Sequence, residues 1–314
     1  MLTAPSGQSV GYADLPYLIR DYTVRYGYSA TWLYYPFSRS DRSTPQQHIA
    51  FAPDYSNGVS DRLSSSPAQE RYDQLLTPLR FNRQEARNIR QYLPGASYVN
   101  QAATEENFKQ NAHRYQVIHL AMHAQVNDHD PLYSRLVFSQ PAVSSSEDGY
   151  LNAYELYDMN ISADLAVLSA CETGFGKLER GEGVMSLAHA FAYAGCPSIV
   201  MSHWLVDDAA SARLMDYFYR RLASGQPKDE ALRQAKLSYL NTVSVQKAHP
   251  FFWSNFVLVG DNLPVRLQPV ATTPWSYALG SVLVLLGLLV GAYRYFCRKP
   301  GPESVVGTRP SFSV

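Results

Sequence analysis

The stretch LAVLSACETGFG, residues 165–176, decides how the rest of the chain is read. Leu165-Ala166-Val167-Leu168-Ser169 carries no charge and does not alternate, which suits a strand buried on both faces, where no solvent side exists for alternation to serve. Cys171 falls where that strand stops. An acidic residue and Thr173-Gly174-Phe175-Gly176 follow, a turn in which glycine takes backbone angles closed to other residues. A thiol is therefore expected at the carboxyl end of a sheet strand, the edge at which open α/β sheets bind ligands. The plain alternative for a lone cysteine is a small buried hydrophobe.

Working downstream, residues 184–193 read as a helix with Val184, Leu187, Ala188 and Phe191 on its apolar face. Ser198-Ile199-Val200-Met201-Ser202 is the next strand, completing a right-handed βαβ unit. Residues 207–222 and 228–240 read as two more amphipathic helices, and Asn255-Phe256-Val257-Leu258-Val259 closes the sheet. Upstream, Tyr22-Thr23-Val24-Arg25-Tyr26 alternates like a strand, and residues 48–52 read as a buried strand closed by Pro53-Asp54. A helix is expected within residues 76–92, with Ala86, Ile89 and Leu93 in phase and Pro94-Gly95 stopping it. Thr104 caps another, ahead of acidic residues that suit the positive end of a helix. Val117-Ile118-His119-Leu120-Ala121 reads as a strand that delivers Met122-His123-Ala124 to a loop. Residues 134–138 form a further strand candidate, and residues 151–158 one or two helical turns. Alternating strands and helices argue for one α/β domain with a mostly parallel sheet.

The chain has 314 residues, 46% of them hydrophobic, enough for a globular core. Lysine plus arginine balances aspartate plus glutamate at 27 each, so no electrostatic case exists for nucleic acid as a partner. Its three cysteines, Cys171, Cys196 and Cys297, include no CxxC pair, which argues against a disulfide framework and a cysteine-rich zinc site. Cys196, beside Pro197, reads as core packing, and Cys297 as an ordinary thiol. Residues 1–10 are polar and small and do not read as a signal peptide. Residues 270–293 hold no charge, and YALGSVLVLLGLLV at 277–290 is flanked by aromatic residues and then by Arg294, Arg298 and Lys299. This pattern predicts one membrane helix over residues 275–296, after a Pro/Thr-rich linker at 263–274 and before a short polar tail at 297–314. The basic tail favours a cytoplasmic C-terminus, while a tail anchor with a cytoplasmic main domain is the competing topology.

One expected strand ends in His123 and another in Cys171. An imidazole beside a thiol can take its proton or hold the thiolate, and the thiolate is the nucleophile. Backbone amides after each strand would supply donors for an oxyanion. HLAMHA at 119–124, LSACETG at 168–174, RGEGVMSLAHAFAYAG at 180–195, WLVDDA at 204–209 and HPFFWSNFVLVGD at 249–261 resemble the CHAT domain, a family grouped with caspases, gingipains and separases. The resemblance spans residues 15–261 within a domain placed at residues 1–262. It implies a caspase-like sandwich, a mostly parallel central sheet flanked by helices. It also implies a cysteine endopeptidase in which Cys171 is the nucleophile and His123 the catalytic histidine, with the backbone N–H groups of Ala124 and Cys171 at the oxyanion. No cofactor or metal is implied; the partners are a protein or peptide substrate and a regulatory or sensor protein.

The sequence departs from the family pattern twice. Ala124 stands where glycine follows the histidine, adding a methyl group beside the oxyanion donor, and the domain is expected to lack its first elements. Both departures motivate an alternative, a membrane-anchored interaction module without proteolysis; a thiol hydrolase of unrelated fold disagrees with the motif spacing. Asp207 and Asp208 offer an acidic wall for a basic substrate residue, yet read equally as acids at a helix N-terminus. His119, Asp128 and His129 with His123 offer metal ligands, against the plainer reading of a buried, hydrogen-bonded His119. Residues 174–183 lack the GK[ST] of a phosphate loop.

Overall fold

Successive residues of a strand point to opposite faces of its sheet, so an uncharged strand needs cover on both sides, and the fold supplies it. The computed structural model describes residues 11–29, 46–55, 76, 78–127, 129–139, 145–169, 171–172, 182–204, 207–267 and 285–294, with the backbone alone for 171–172 and 182–184. The main sheet contains β1 (Gln46–Ala52), β2 (Gly95–Val99), β3 (Tyr115–Leu120), β7 (Leu165–Leu168), β9 (Ser198–Ser202) and β10 (Phe256–Gly260). Its order is β10-β9-β7-β3-β1-β2. The first five strands in chain order run parallel, and β10 is antiparallel to β9. All four residues of β7 are buried.

Helices lie on both faces: α1 (Asn82–Ile89), α2 (Glu105–Asn111), α3 (Ala153–Tyr157), α4 (Glu182–Tyr193), α5 (Asp208–Ala223) and α6 (Lys228–Leu240). Ile118, Leu120, Ala166 and Leu168 pack with Phe108, Leu156, Leu187 and Phe191 on one side. Val117, Leu165 and Val167 pack with Ala86, Leu214, Phe218 and Ala235 on the other. The protein is thus a mixed α/β domain, a mostly parallel sheet between helices. Thr104 caps α2 by accepting the Asn107 N–H at 3.2 Å.

Three expectations are corrected. Residues 22–26 do not form a strand: Tyr22, Val24 and Tyr26 are exposed, and of these residues Tyr26 alone pairs, in an isolated parallel bridge with Val259. Alternation does not make a strand where neither face is buried. The helix expected within residues 76–92 spans only Asn82–Ile89 and stops before Pro94-Gly95; Gly95 instead opens β2, which pairs with β1. Residues 123–125 are not a loop but β4 (His123–Gln125), part of a second sheet that also contains β5 (Arg135–Val137), β6 (Tyr150–Asn152) and β8 (Cys171–Glu172) in the order β6-β5-β4-β8.

Residues 269–314 form a separate unit. Within it residues 285–294 are helical, with Leu285, Leu286, Leu288, Leu289 and Val290 exposed. No helix among the described residues is long and apolar enough to cross a membrane. The described turns cover about 15 Å against a hydrocarbon core of about 30 Å, and the rest of the 275–296 span lies outside the described residues, as does Cys297.

His48 of β1 is completely buried. Burial lowers its imidazole to about 4, and the Pro94 carbonyl opposes that only in part. The neutral ring is therefore the one the fold accepts. The unfolded chain binds a proton at about 6.5, so stability from this site is complete above that pH and lost as pH falls towards 4, on the order of 3 kcal/mol in all. Urea unfolding at pH 7 and 4.5 should show the loss in the wild type, and His48→Leu should flatten it.

Candidate active site

β3 and β7 are neighbours, with Leu120 opposite Leu168. Where the main sheet ends, each chain segment re-pairs in the smaller sheet, β3 leading to β4 and β7 to β8, and the parallel pairing resumes with His123 opposite Cys171 and Ala124 opposite Glu172. The register is unchanged across the break. Neighbouring strands lie about 4.8 Å apart, so residues 48 positions apart in sequence are set side by side at the carboxyl edge. The β5–β6 hairpin supplies the remaining support: β5 pairs antiparallel with β4, His123 opposite Val137, and β6 pairs with β5.

His123 is 1% exposed. Its backbone N–H donates to the Tyr55 hydroxyl at 3.1 Å, and that hydroxyl donates to the Val137 carbonyl at 2.6 Å. The Tyr55 ring lies against the imidazole, centroids 4.6 Å apart and tilted 54°. Burial drives the Tyr55 phenol far above its ordinary range, so it stays protonated. Asn82 ties the same edge together by donating to the carbonyls of Pro53 at 2.8 Å and Ala121 at 3.4 Å. Neither Tyr55 nor Asn82 was foreseen. Tyr55 follows a strand-ending Pro-Asp and nothing local marks it; its role exists only once β4 and β5 meet.

Ala124, the expected oxyanion donor, is a strand residue held between Leu136 and Glu172. The Cys171 side chain, Asp128 and the 174–181 loop lie outside the described residues. Asp207 is the N-cap of α5, accepting the Ala210 N–H at 2.9 Å. It also meets the Lys247 ammonium at 2.9 Å. Burial alone would raise its carboxyl, but Lys247 and the cap outweigh burial and hold it low. Asp208 accepts the Arg80 N–H at 2.8 Å; there burial wins and the carboxyl is raised.

His119 is buried and engaged within the core: its Nδ1 meets the Tyr219 hydroxyl at 2.9 Å, and its Nε2 lies 3.1 Å from the Glu85 carboxylate. His129 is exposed. Cys196 is buried, its Sγ donating to the Ser198 carbonyl at 3.3 Å. Burial pushes that thiol up to about 12, leaving it protonated and unreactive. Among the described residues, carboxylates converge as for a cation at Glu105, Glu147 and Glu155. The Lys109 ammonium already sits among them at 2.6, 2.5 and 2.8 Å. Burial pushes Glu105 up to about 7 against the pull of Lys109, and its other oxygen accepts the Gly149 N–H at 2.8 Å. The cluster therefore anchors the chain entering β6.

Fold and site together define an α/β domain in which two adjacent parallel strands bring a histidine and a cysteine to one sheet edge. The family model of the CHAT domain matches residues 2–261, and the chain belongs to that family. Tetratricopeptide repeat protein 28 of Mus musculus is 30% identical over 118 residues, 37% of this chain and 5% of that protein. The Homo sapiens protein of the same name gives the same figures; the chain spans a small fraction of these relatives. Among solved structures, the Arg-specific cysteine proteinase gingipain R matches 70% of this chain and 47% of its own at 11% identity, with a TM-score of 0.42. The complex of Porphyromonas gingivalis RgpB pro- and mature domains matches 70% and 48% at 12% identity, with a TM-score of 0.44. These likenesses are remote.

Proposed function

We propose that this CHAT domain is a caspase-like cysteine endopeptidase in which Cys171 is the nucleophile and His123 the general base and then acid. The supporting observation is the register that sets His123 opposite Cys171. Residues opposite one another on neighbouring strands project from the same face, the arrangement a thiol–imidazole pair requires. The thiolate attacks the carbonyl carbon of a substrate peptide bond, and the backbone N–H groups of Ala124 and Cys171 stabilise the oxyanion. The C–N bond breaks as His123 returns the proton to the leaving amine, giving a thioester. Water, deprotonated by His123, then releases the acid and restores the thiol.

We assign Asp207 and Asp208 to ordering α5 rather than to the substrate, since Lys247 and Arg80 already engage them. Residues 275–296 would anchor the domain to a membrane; the exposed leucines at 285–289 are the support for that part. A second reading, an interaction module without proteolysis that engages a regulatory or sensor protein, is favoured by Ala124. Its backbone is paired on both sides, with Leu136 and with Glu172, and its methyl group is packed in the apolar core. A fluorogenic peptide library decides between them: turnover by the full chain that vanishes in Cys171→Ala is expected. Turnover that survives Cys171→Ala contradicts the peptidase, and none from the wild type favours the module.

A further inference from the structure

In an antiparallel ladder, strand pairs are joined by direct N–H to carbonyl bonds. At His123 a phenol stands in that place. The His123 N–H donates to the Tyr55 hydroxyl at 3.1 Å, and the hydroxyl donates onward to the carbonyl of Val137, the residue directly opposite His123. The same side chain presses its ring on the imidazole at 4.6 Å. Tyr55 itself is 5% exposed, and it leaves β1 only a few residues earlier, so it is tied to the main sheet while holding the first residue of β4. One side chain thus bridges the two sheets at the point where the histidine's strand passes between them.

We infer that Tyr55 is a positioning residue for the Cys171–His123 reaction, fixing the backbone and ring of His123 relative to the strand that carries Cys171. The inference rests on the peptidase reading above. A phenol suits this task because its hydroxyl accepts and donates at once, linking the His123 N–H to the Val137 carbonyl through one side chain. Phenylalanine keeps the ring contact and removes both bonds. The ring would then hold His123 in place loosely, and a misplaced imidazole no longer pairs with the thiolate.

The test follows the rate of Cys171 alkylation by iodoacetamide against pH in the full chain, resolved from other cysteines by peptide mass spectrometry. The expected wild-type profile has a midpoint below that of a free thiol, near 8.5, and loses this in His123→Ala. Tyr55→Phe should move the midpoint upward by about one pH unit, an approximately tenfold loss of rate at neutral pH, with rates converging at high pH where every thiol is ionised. Tyr219→Phe, which removes another buried phenol bonded to a different histidine, His119, should lose stability and keep the wild-type profile. A wild-type profile in Tyr55→Phe, alongside a His123-dependent wild type, overturns the positioning role alone. A profile insensitive to His123→Ala overturns the peptidase reading and this inference with it. Hydrogen exchange of the His123 amide in the wild type needs no variant: it should be protected, and exchange at the rate of an open amide overturns the bridge.

Discussion

Replacing His123 with alanine is expected to slow peptide cleavage by about 10²–10⁴-fold, the usual loss when a positioned general base and acid is removed. The loss should appear mainly in kcat, because the imidazole moves a proton in the transition state and makes little contact with bound substrate. Cys171→Ala should remove covalent turnover altogether. The double variant should be no worse than Cys171→Ala alone, since groups that act as one unit do not add. Folding should be spared less in His123→Ala than in Cys171→Ala, because His123 is 1% exposed and supports the Tyr55 ring. Far-ultraviolet spectra and thermal midpoints separate that structural share from the chemical one.

Gly260→Ala is expected to be strongly destabilising, on the order of 4 kcal/mol. Gly260 has φ +101, and a Cβ there would lie 2.2 Å from the Pro197 carbonyl oxygen and 3.0 Å from Ser198 Cα. Both clashing atoms are backbone, held by the β9–β10 ladder that pairs Gly260 with Ser198. The shift would reach further. Asp261 N–H donates to the same Pro197 carbonyl at 3.1 Å, and the Asp261 carboxylate meets the fully buried Lys228 ammonium at 2.9 Å. Displacing one partner of a buried pair leaves a costly uncompensated charge. Gly225→Ala is the control: its φ is +80 with nothing within 4 Å of a Cβ, so it should cost only the backbone term, about 1–2 kcal/mol. Equal losses for the two variants, measured by urea unfolding, would contradict this account.

How much of this was legible before folding depends on whether the signal was local. β7, β9 and α4 were readable because burial on both faces writes an uncharged run and a one-sided helix writes a period. Thr104 was readable as a cap because capping is decided within three residues. β4 and β8 were not: strands of three and two residues have no periodicity, and they exist because β3 and β7 carry one register through the break and the β5–β6 hairpin gives β4 an outer partner. The run at 22–26 failed in the opposite sense, with the pattern of a strand and no sheet to bury it. Within the site, His123 and Cys171 were legible by family resemblance and as residues just beyond β3 and β7, but not as the first residues of β4 and β8. Tyr55, Asn82 and the Lys109 cluster depend on contacts between distant segments, which no spacing encodes. The 275–296 span was read from hydropathy with its aromatic and basic flanks, and its described portion is the helix at 285–294.

The most direct test of the central claim is labelling of the full chain with a peptide-like electrophilic probe, with the modified cysteine located by mass spectrometry. The account predicts rapid labelling at Cys171 that collapses in His123→Ala, while Cys196, with a thiol pushed up to about 12, stays unmodified until the protein is unfolded. Labelling at Cys171 that proceeds at the same rate without His123, or no labelling there at all, would contradict it.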